Sequence, residues 1–347
     1  MKKITIITPT YNRAKTLPKV FESLLKQSFK DFLWIILDDG STDNTEKVVE
    51  NFQLLNPFFE IIYKKDKNRH KFLTVLEGVK MVKTPYFMVV DSDDAYPEDA
   101  LENLISEVEK IENQDDYISV MGLSADENGK IVGDKYPNNG FDGSIFEMRY
   151  KHKVRGDKFG IFITKTYQRE ISEKDFSQYE GKGYIPQSVI FNDYDARGIK
   201  TRFVNKIVRF YLKDDDDVAS VSNTRWSGKN LFGLAEGHLS FLNSYGNLLF
   251  SYPKPLLRNL IGYQTYSLKN GRKISKIIAD VIRTWINDDI PSEITDAMKE
   301  TAKKYSFDEY KVNLDNLINS YINERVKEFE EVIIVAKSKI NDEKVEE

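Results

Sequence analysis

The chain has 347 residues, enough for one large domain or for a core domain with an appendage. Its 51 basic and 55 acidic side chains give a formal charge of −4, so no global positive field attracts nucleic acid. It has no cysteine and only three histidines, which excludes disulfide bonds and argues against a zinc site.

The N-terminus predicts neither a secretion signal nor a membrane-spanning helix. The first apolar run ends at Pro9, which is too short for the apolar part of a signal peptide. No run elsewhere approaches the roughly 18 apolar residues that cross a bilayer. We therefore expect a cytoplasmic protein.

Short apolar strands alternate with helical segments over the first part of the chain. The predicted strands are 4–8, 32–37, 59–63 and 86–90, and the predicted helices are 14–26, 72–82 and 97–111. Another helix is capped by Asp43, with Glu46 three residues later as a capping-box partner. Strands that alternate with helices favour βαβ units with right-handed crossovers. The predicted fold class is therefore α/β, with a mostly parallel, Rossmann-like sheet flanked by helices.

Strand signals continue as far as Phe210 and then stop. We predict strands at 117–123 and 159–164, a helix at 186–196, a strand pair at 201–210, and loops with irregular strands over 124–157. Residues 231–286 are helical, basic and amphipathic, a pattern typical of helices on an anionic membrane surface or of helices that cover a core domain. We predict two domains, 1–213 and a helical C-terminal region at 214–347.

The segment Asp91-Ser92-Asp93-Asp94 follows the apolar run 86–90 and is the strongest functional signal. Three carboxylates within four residues repel one another, and a divalent cation is the usual compensation. Carboxylate oxygens suit Mg²⁺ or Mn²⁺ better than softer metals. A buried strand would deliver these acids to the carboxyl end of a sheet, where open α/β sheets bind ligands. A solvated acidic turn is the alternative interpretation.

Two other polar motifs follow predicted strands at the same relative place. They are Thr8-Pro9-Thr10-Tyr11-Asn12-Arg13 after the first strand and Asp38-Asp39-Gly40-Ser41-Thr42-Asp43 after the second. With the acidic segment, they resemble the motifs of the family 2 glycosyltransferases, inverting enzymes of the GT-A type, over about residues 3–212. The resemblance implies a nucleotide-binding α/β domain that grips a nucleotide-sugar donor.

The resemblance also implies roles for individual residues. Asp39 corresponds to the acid that accepts the uracil N3–H in members that use UDP-sugars, and Asp93 to the ligand of Mg²⁺ or Mn²⁺. The other implied substrate-binding residues are Pro9, Thr10, Tyr11, Arg13, Lys71, Asp91 and Ser92. Tyr11 and Arg13 could equally be a buried aromatic and an edge cation, and Lys71 could lie exposed.

The catalytic base is where this sequence departs from the family pattern. An inverting transfer needs a carboxylate within hydrogen-bond reach of the acceptor hydroxyl. A close subgroup carries acids where this chain has Lys182 and Gln187, and neither of these can act as a carboxylate base. Asp157 and Glu180 remain as the candidates, and a surface acid is the alternative interpretation of each.

The predicted function is transfer of a sugar from a nucleotide-sugar, UDP-linked by preference, to a hydroxyl of a glycan or lipid-linked acceptor in cell-surface polysaccharide synthesis. Peripheral contact with the inner membrane face through the C-terminal helices remains an option, and nucleic acid is not expected as a partner. One rival is a catalytically impaired subunit that binds nucleotide-sugar or carbohydrate. The other is a sugar-phosphate nucleotidyltransferase, which the absence of glycine from residues 5–20 argues against.

Overall fold

The computed structural model describes residues 2–55, 57–212 and 230–252, with scattered positions from 255 to 271. The chain divides into two compact units, Met1–Gly233 and Leu234–Glu347. The predicted domain boundary after residue 213 and most of the predicted basic helical stretch lie outside the described residues, so both stay predictions. Every helix among the described residues is too short or too polar to span a bilayer.

A mixed sheet of eight strands forms the centre of the first unit. In chain order the strands are β1 Ile4–Thr10, β2 Phe32–Asp38, β3 Glu60–Lys65, β4 Tyr86–Val89, β5 Tyr117–Ala125, β6 Phe141–Gly143, β7 Lys158–Ile163 and β8 Lys200–Phe210. Across the sheet their order is β3-β2-β1-β4-β7-β5-β8-β6. Strands β3, β2, β1 and β4 are mutually parallel, whereas β7 runs antiparallel to both β4 and β5.

Helices cover both faces of this sheet. They are α1 Leu17–Leu25, α2 Thr45–Leu54, α3 His70–Met81, α4 Ala100–Glu109, α5 Thr164–Ser172 and α6 Ser188–Ala196, and α7 Leu231–Tyr245 follows. Successive strand residues point to opposite faces, so Ile6 packs with α1, α2 and α4, and Ile7 packs with α3, α5 and α6. Burial on both faces explains why the strands read as continuous apolar runs.

Two local predictions are corrected by the structure, and one helix was not predicted. Residues 201–210 form one strand, not a pair, because the polar Asn205 breaks the apolar pattern while its backbone stays in the sheet and bonds Asn139. The predicted capping box is only half formed: Asp43 Oδ1 accepts the Thr45 amide at 3.0 Å at the start of α2, but Glu46 pairs with Lys65 instead of closing the box. Helix α5 lies where no helix was predicted.

The strand directions determine which segments lie together at the sheet edge that carries the three predicted motifs, which we call the functional edge. Strands β1, β2 and β4 end at one edge of the sheet. Because β7 is antiparallel to β4, the beginning of β7 lies at that same edge. Strand β8 also ends there, and a backbone bridge joins Phe210, its last residue, to Ala95 in the loop that follows the acidic segment.

Candidate active site

The two acids at the end of β2 have different environments. Asp38 is 1% exposed, and its oxygens accept hydrogen bonds from the Ser41 amide at 2.7 Å and the Tyr63 hydroxyl at 2.5 Å. Both oxygens are therefore used within the fold. Asp39 is also buried, but the Arg69 amide at 2.7 Å and the Thr74 hydroxyl at 2.8 Å both donate to its Oδ1. Asp39 is thus the acid of the pair whose Oδ2 can accept from a ligand.

Burial controls the protonation of Asp39. Desolvation raises the pKa of this carboxyl above its ordinary value, and the Arg69 amide and Thr74 hydroxyl oppose part of the rise. A ligand N–H donated to Asp39 would favour its ionised form in the same way as these two donors.

The loop after β1 is tied to the loop after β2 by side-chain hydrogen bonds. Asn12 has a left-handed backbone with φ of 55°, and its Oδ1 accepts from the Thr42 amide at 2.8 Å and the Asp43 amide at 3.3 Å. In return the Asn12 amide donates to the Ser41 hydroxyl at 2.8 Å. We call this set of bonds the Asn12 clamp. It fixes the predicted nucleotide-binding motifs relative to each other.

The remaining predicted residues of the first motif lie beside the clamp. Pro9 and Thr10 end β1, and the Thr10 carbonyl accepts the Asp39 amide at 2.8 Å. The Thr10 hydroxyl oxygen is buried without a hydrogen-bond partner in the described part of the chain. Tyr11 is 43% exposed, so the buried-aromatic interpretation of this residue is wrong. The Arg13 amide donates to the Thr45 hydroxyl at 3.0 Å, which anchors this residue to the start of α2.

The acidic segment after β4 forms the predicted cluster. One carboxylate oxygen from each of Asp91, Asp93 and Asp94 lies within 4.8 Å of the others, and Ser92 is buried between them. Lys71 at the start of α3 donates to Asp91 Oδ1 at 2.6 Å. Desolvation alone would raise the pKa of Asp91, but the charge and hydrogen bond of Lys71 outweigh it and hold the pKa below its ordinary value.

Asp94 is the member of the cluster whose negative charge the fold disfavours. It is 2% exposed, and desolvation raises its pKa to about 8, with Asp91 and Asp93 adding to the rise and Arg209 opposing it. A cation at the cluster would relieve this penalty, because it favours the ionised form of every neighbouring carboxylate. The oxygen-only donor set and the buried acid therefore fit Mg²⁺ or Mn²⁺.

Arg209 is the residue of this site that the sequence did not reveal. It lies near the end of β8 and is 3% exposed. Its guanidinium donates to Asp157 Oδ2 at 2.5 Å and to the Ser124 hydroxyl at 3.1 Å, and its Nη1 lies 3.4 Å from Asp94 Oδ2. One buried cation therefore connects the acidic cluster with a candidate catalytic base.

The two candidate bases lie in different surroundings. Asp157 is next to the first residue of β7, and its side chain is 65% exposed although Arg209 holds it. Glu180 is 45% exposed and pairs with Lys67 at 3.2 Å and Arg69 at 3.7 Å, in the loop that donates an amide to Asp39. The structure thus connects Asp157 to the acidic cluster and Glu180 to the Asp39 side.

Comparison of the whole structure with solved structures gives the fold class. The crystal structure of S. aureus TarS 1-349 in complex with UDP-GlcNAc superposes with a TM-score of 0.54 at 18% identity, covering 92% of each chain. This likeness shows the GT-A glycosyltransferase fold, which confirms the predicted fold class.

Sequence comparison gives the family. Residues 5–176 match the family model described as Glycosyl transferase family 2. Residues 5–176 therefore form a family 2 glycosyltransferase domain, as the motifs of that segment predicted.

Two curated relatives extend the match beyond the family model. The poly(ribitol-phosphate) beta-N-acetylglucosaminyltransferase TarP of Staphylococcus aureus strain N315 is 26% identical over 300 residues, covering 79% of this chain and 81% of TarP. Glycosyltransferase GlyA of Streptococcus pneumoniae serotype 4 is 25% identical over 284 residues, covering 78% of this chain. The match covers 38% of GlyA, so this chain spans little more than a third of that relative.

Proposed function

We propose that this protein is a metal-dependent, inverting glycosyltransferase that moves a sugar from a UDP-sugar to a hydroxyl of a glycan or lipid-linked acceptor in polysaccharide synthesis. The observation that carries the proposal is the meeting, at one sheet edge, of the buried acceptor Asp39 with the cluster Asp91, Asp93 and Asp94. Family membership and the UDP-GlcNAc complex of TarS support it.

The nucleotide half of the donor would bind at the ends of β1 and β2. When ionised, the Asp39 carboxylate accepts hydrogen bonds but cannot donate them, so it selects a base edge that donates, such as the uracil N3–H. The exposed ring of Tyr11 supplies a face on which a flat base can stack. Asn12 contributes by holding the loop that carries Tyr11 against the β2–α2 loop.

The diphosphate half would lie at the acidic cluster. Asp93 would hold a Mg²⁺ or Mn²⁺ ion, with Asp91 near the ribose and Ser92 among the substrate contacts. When bound, such an ion neutralises the diphosphate and makes it a better leaving group. Lys71 holds Asp91 in place through its 2.6 Å hydrogen bond, and both side chains remain partly exposed.

Asp157 is the better candidate for the catalytic base. The base must accept the proton of the acceptor hydroxyl while that oxygen attacks the anomeric carbon and the bond to the diphosphate breaks. Asp157 combines an exposed carboxylate with a fixed position, because Arg209 links it to Asp94. Glu180 would instead brace the loop of Lys67 and Arg69 beside Asp39.

A catalytically impaired binding subunit is the second candidate function. Lys182 and Gln187, which replace two acids of the subgroup, have structural positions here: Lys182 lies over the Phe232 ring, and Gln187 immediately precedes α6. The impaired protein and the enzyme would both bind UDP with Mn²⁺. Only the enzyme would transfer or hydrolyse sugar from a UDP-sugar.

Calorimetry and turnover assays together test the proposal. We expect Mn²⁺-dependent UDP binding that Asp93→Ala abolishes. The control variant Asp31→Ala, at an exposed residue immediately before β2, should retain this binding. Thermal stabilisation by a panel of nucleotide-sugars would then identify the preferred donor, because a ligand that binds only the folded state raises its stability. Unchanged Mn²⁺-dependent affinity in Asp93→Ala would refute the metal assignment. Binding without any turnover would leave the impaired subunit.

A further inference from the structure

A basic turn leads directly to Asp157. We define it as residues 149–156, which contain Arg149, Lys151, His152, Lys153 and Arg155 and no acidic residue. Four of its eight residues are lysine or arginine, in a chain whose formal charge is −4. Because the turn precedes β7, and β7 begins at the functional edge of the sheet, the turn lies on the side from which an acceptor would reach Asp157.

The basic turn is firmly built into the fold. Met148 and Val154 are buried, and the Val154 amide donates to the Met148 carbonyl at 3.1 Å. The Arg155 amide donates to Asp134 Oδ2 at 2.9 Å. Gly156 has φ of 90° and packs so closely on the backbone at Val132 that an added Cβ would lie 2.2 Å from the Val132 carbonyl oxygen. These contacts hold the turn in one conformation.

The backbone of Lys153 is strained, and a lysine side chain does nothing to favour this conformation. Its φ is 58°, in the left-handed region that a non-glycine residue occupies only at a cost. Such strain persists where surrounding contacts impose it, and it concentrates at functional sites. Here the strain places a lysine side chain in solvent between the buried Val154 and the ring contact of His152 with Phe141.

Three cations of the turn are not neutralised by the protein. Lys151 pairs with Glu147 at 2.7 Å. Arg149, Lys153 and Arg155 are exposed, and none of them forms an ion pair within the described part of the chain. Within the turn, Val154 is buried and Tyr150 is half-buried against the Phe146 ring, so the turn presents little apolar surface to a lipid bilayer. These three exposed cations suit the binding of a soluble polyanion.

We infer that the basic turn is the acceptor-binding surface and that the acceptor is a glycan whose repeating units carry phosphate. The acceptor role rests on the proposed function. Binding of an anion by this surface rests only on the charges of the basic turn. Arginine and lysine are the side chains that bind phosphate oxygens through charge-assisted hydrogen bonds. Several cations spread along one turn match a chain of phosphates better than a single pyrophosphate group.

The test uses the double variant Lys153→Asn and Arg155→Gln. Asparagine tolerates the left-handed backbone, so the variant keeps the turn. The matched control is Lys19→Gln with Lys47→Gln, which removes the same charge from exposed positions on α1 and α2. The probe is fluorescently labelled inorganic polyphosphate, and its binding is measured with saturating UDP and Mn²⁺ present so that phosphate cannot enter the nucleotide site.

We expect the double variant to bind polyphosphate about tenfold more weakly than the wild type, as the loss of two exposed ion contacts produces. The control should stay within about twofold, since non-specific charge attraction is then the only loss. An equal loss in both variants, or no polyphosphate binding by the wild type, would overturn the inference. Wild-type binding to phosphatidylglycerol vesicles that the double variant loses, without polyphosphate binding, would make the turn a membrane contact instead.

Two further readouts separate this inference from the proposed function. The thermal midpoints of both variants should equal that of the wild type, because all four side chains are exposed. Calorimetry of wild-type UDP binding tests the donor site by itself. Polyphosphate binding without UDP binding would keep the anion surface and remove the transferase, whereas the reverse result would keep the transferase and remove the anion surface.

Discussion

Replacing Arg209 with lysine tests whether this residue positions the candidate base Asp157 or only supplies a positive charge. The guanidinium contacts Asp157, Ser124 and Asp94 from three nitrogens at once. A lysine keeps the positive charge but has one nitrogen, so it cannot make all three contacts. We expect Arg209→Lys to release Asp157 while the acidic cluster keeps a nearby cation.

The structure sets the size of the expected effects. The bond to Ser124 is buried and contributes about 1 kcal/mol, and the bond to the exposed Asp157 carboxylate contributes no more than about 1 kcal/mol. A loss of about 2 kcal/mol lowers the thermal midpoint of a domain of this size by roughly 4–8 °C. Because a positioned base contributes about 10²–10⁴ in rate, we expect kcat to fall at least tenfold with the donor KM nearly unchanged.

Arg202 provides the matched control on the same strand. Its guanidinium donates to both oxygens of Asp142, at 2.8 and 2.7 Å, far along β8 from the cluster. Arg202→Lys should lower the thermal midpoint by a similar amount and leave kcat unchanged. Equal losses of kcat in both variants would show that Arg209 only stabilises the fold. Unchanged turnover in a folded Arg209→Lys variant would refute the link to Asp157.

Two other predictions concern nucleotide recognition and pH. Asp39→Ala should weaken UDP binding at least about tenfold and leave binding of N3-methyl-UDP unchanged; equal losses by calorimetry would count against base reading by Asp39. The pKa of Asp94 is raised from 3.8 to about 8 in the folded protein, so the unfolded chain releases this proton first. Relative to Asp94→Asn, the metal-free protein should therefore lose stability as pH rises from 3.8 towards 8, and Mn²⁺ should reduce that loss. A difference in thermal midpoint that is independent of pH would contradict the assignment.

The sequence was sufficient to predict the elements that are recognisable from a short stretch of consecutive residues. Strands β1, β2 and β4 are continuous apolar runs because both their faces are buried, and each is followed by a polar motif. Parallel strands must end at one edge, so the sequence alone predicts that Asp39 and Asp91 lie at the same edge of the sheet.

The sequence was insufficient where contacts depend on sheet order. Arg209 meets Asp94 and Asp157 only because β7 is antiparallel and β5 separates it from β8. Helix α5 was missed for a related reason: its buried positions include Glu170, whose charge is matched by Arg197 from after α6. A hydrophobic pattern cannot show burial that a distant ion pair makes possible.

At the proposed donor site, the Asn12 clamp would also affect which nucleobases fit. Side-chain hydrogen bonds join the two loops, so their separation depends on Asn12. A purine is wider than a pyrimidine, so we expect a change that loosens those bonds to ease its entry. Relaxed discrimination between uridine and guanosine diphosphates should therefore arise from changes at Asn12, a residue that need not touch the base itself.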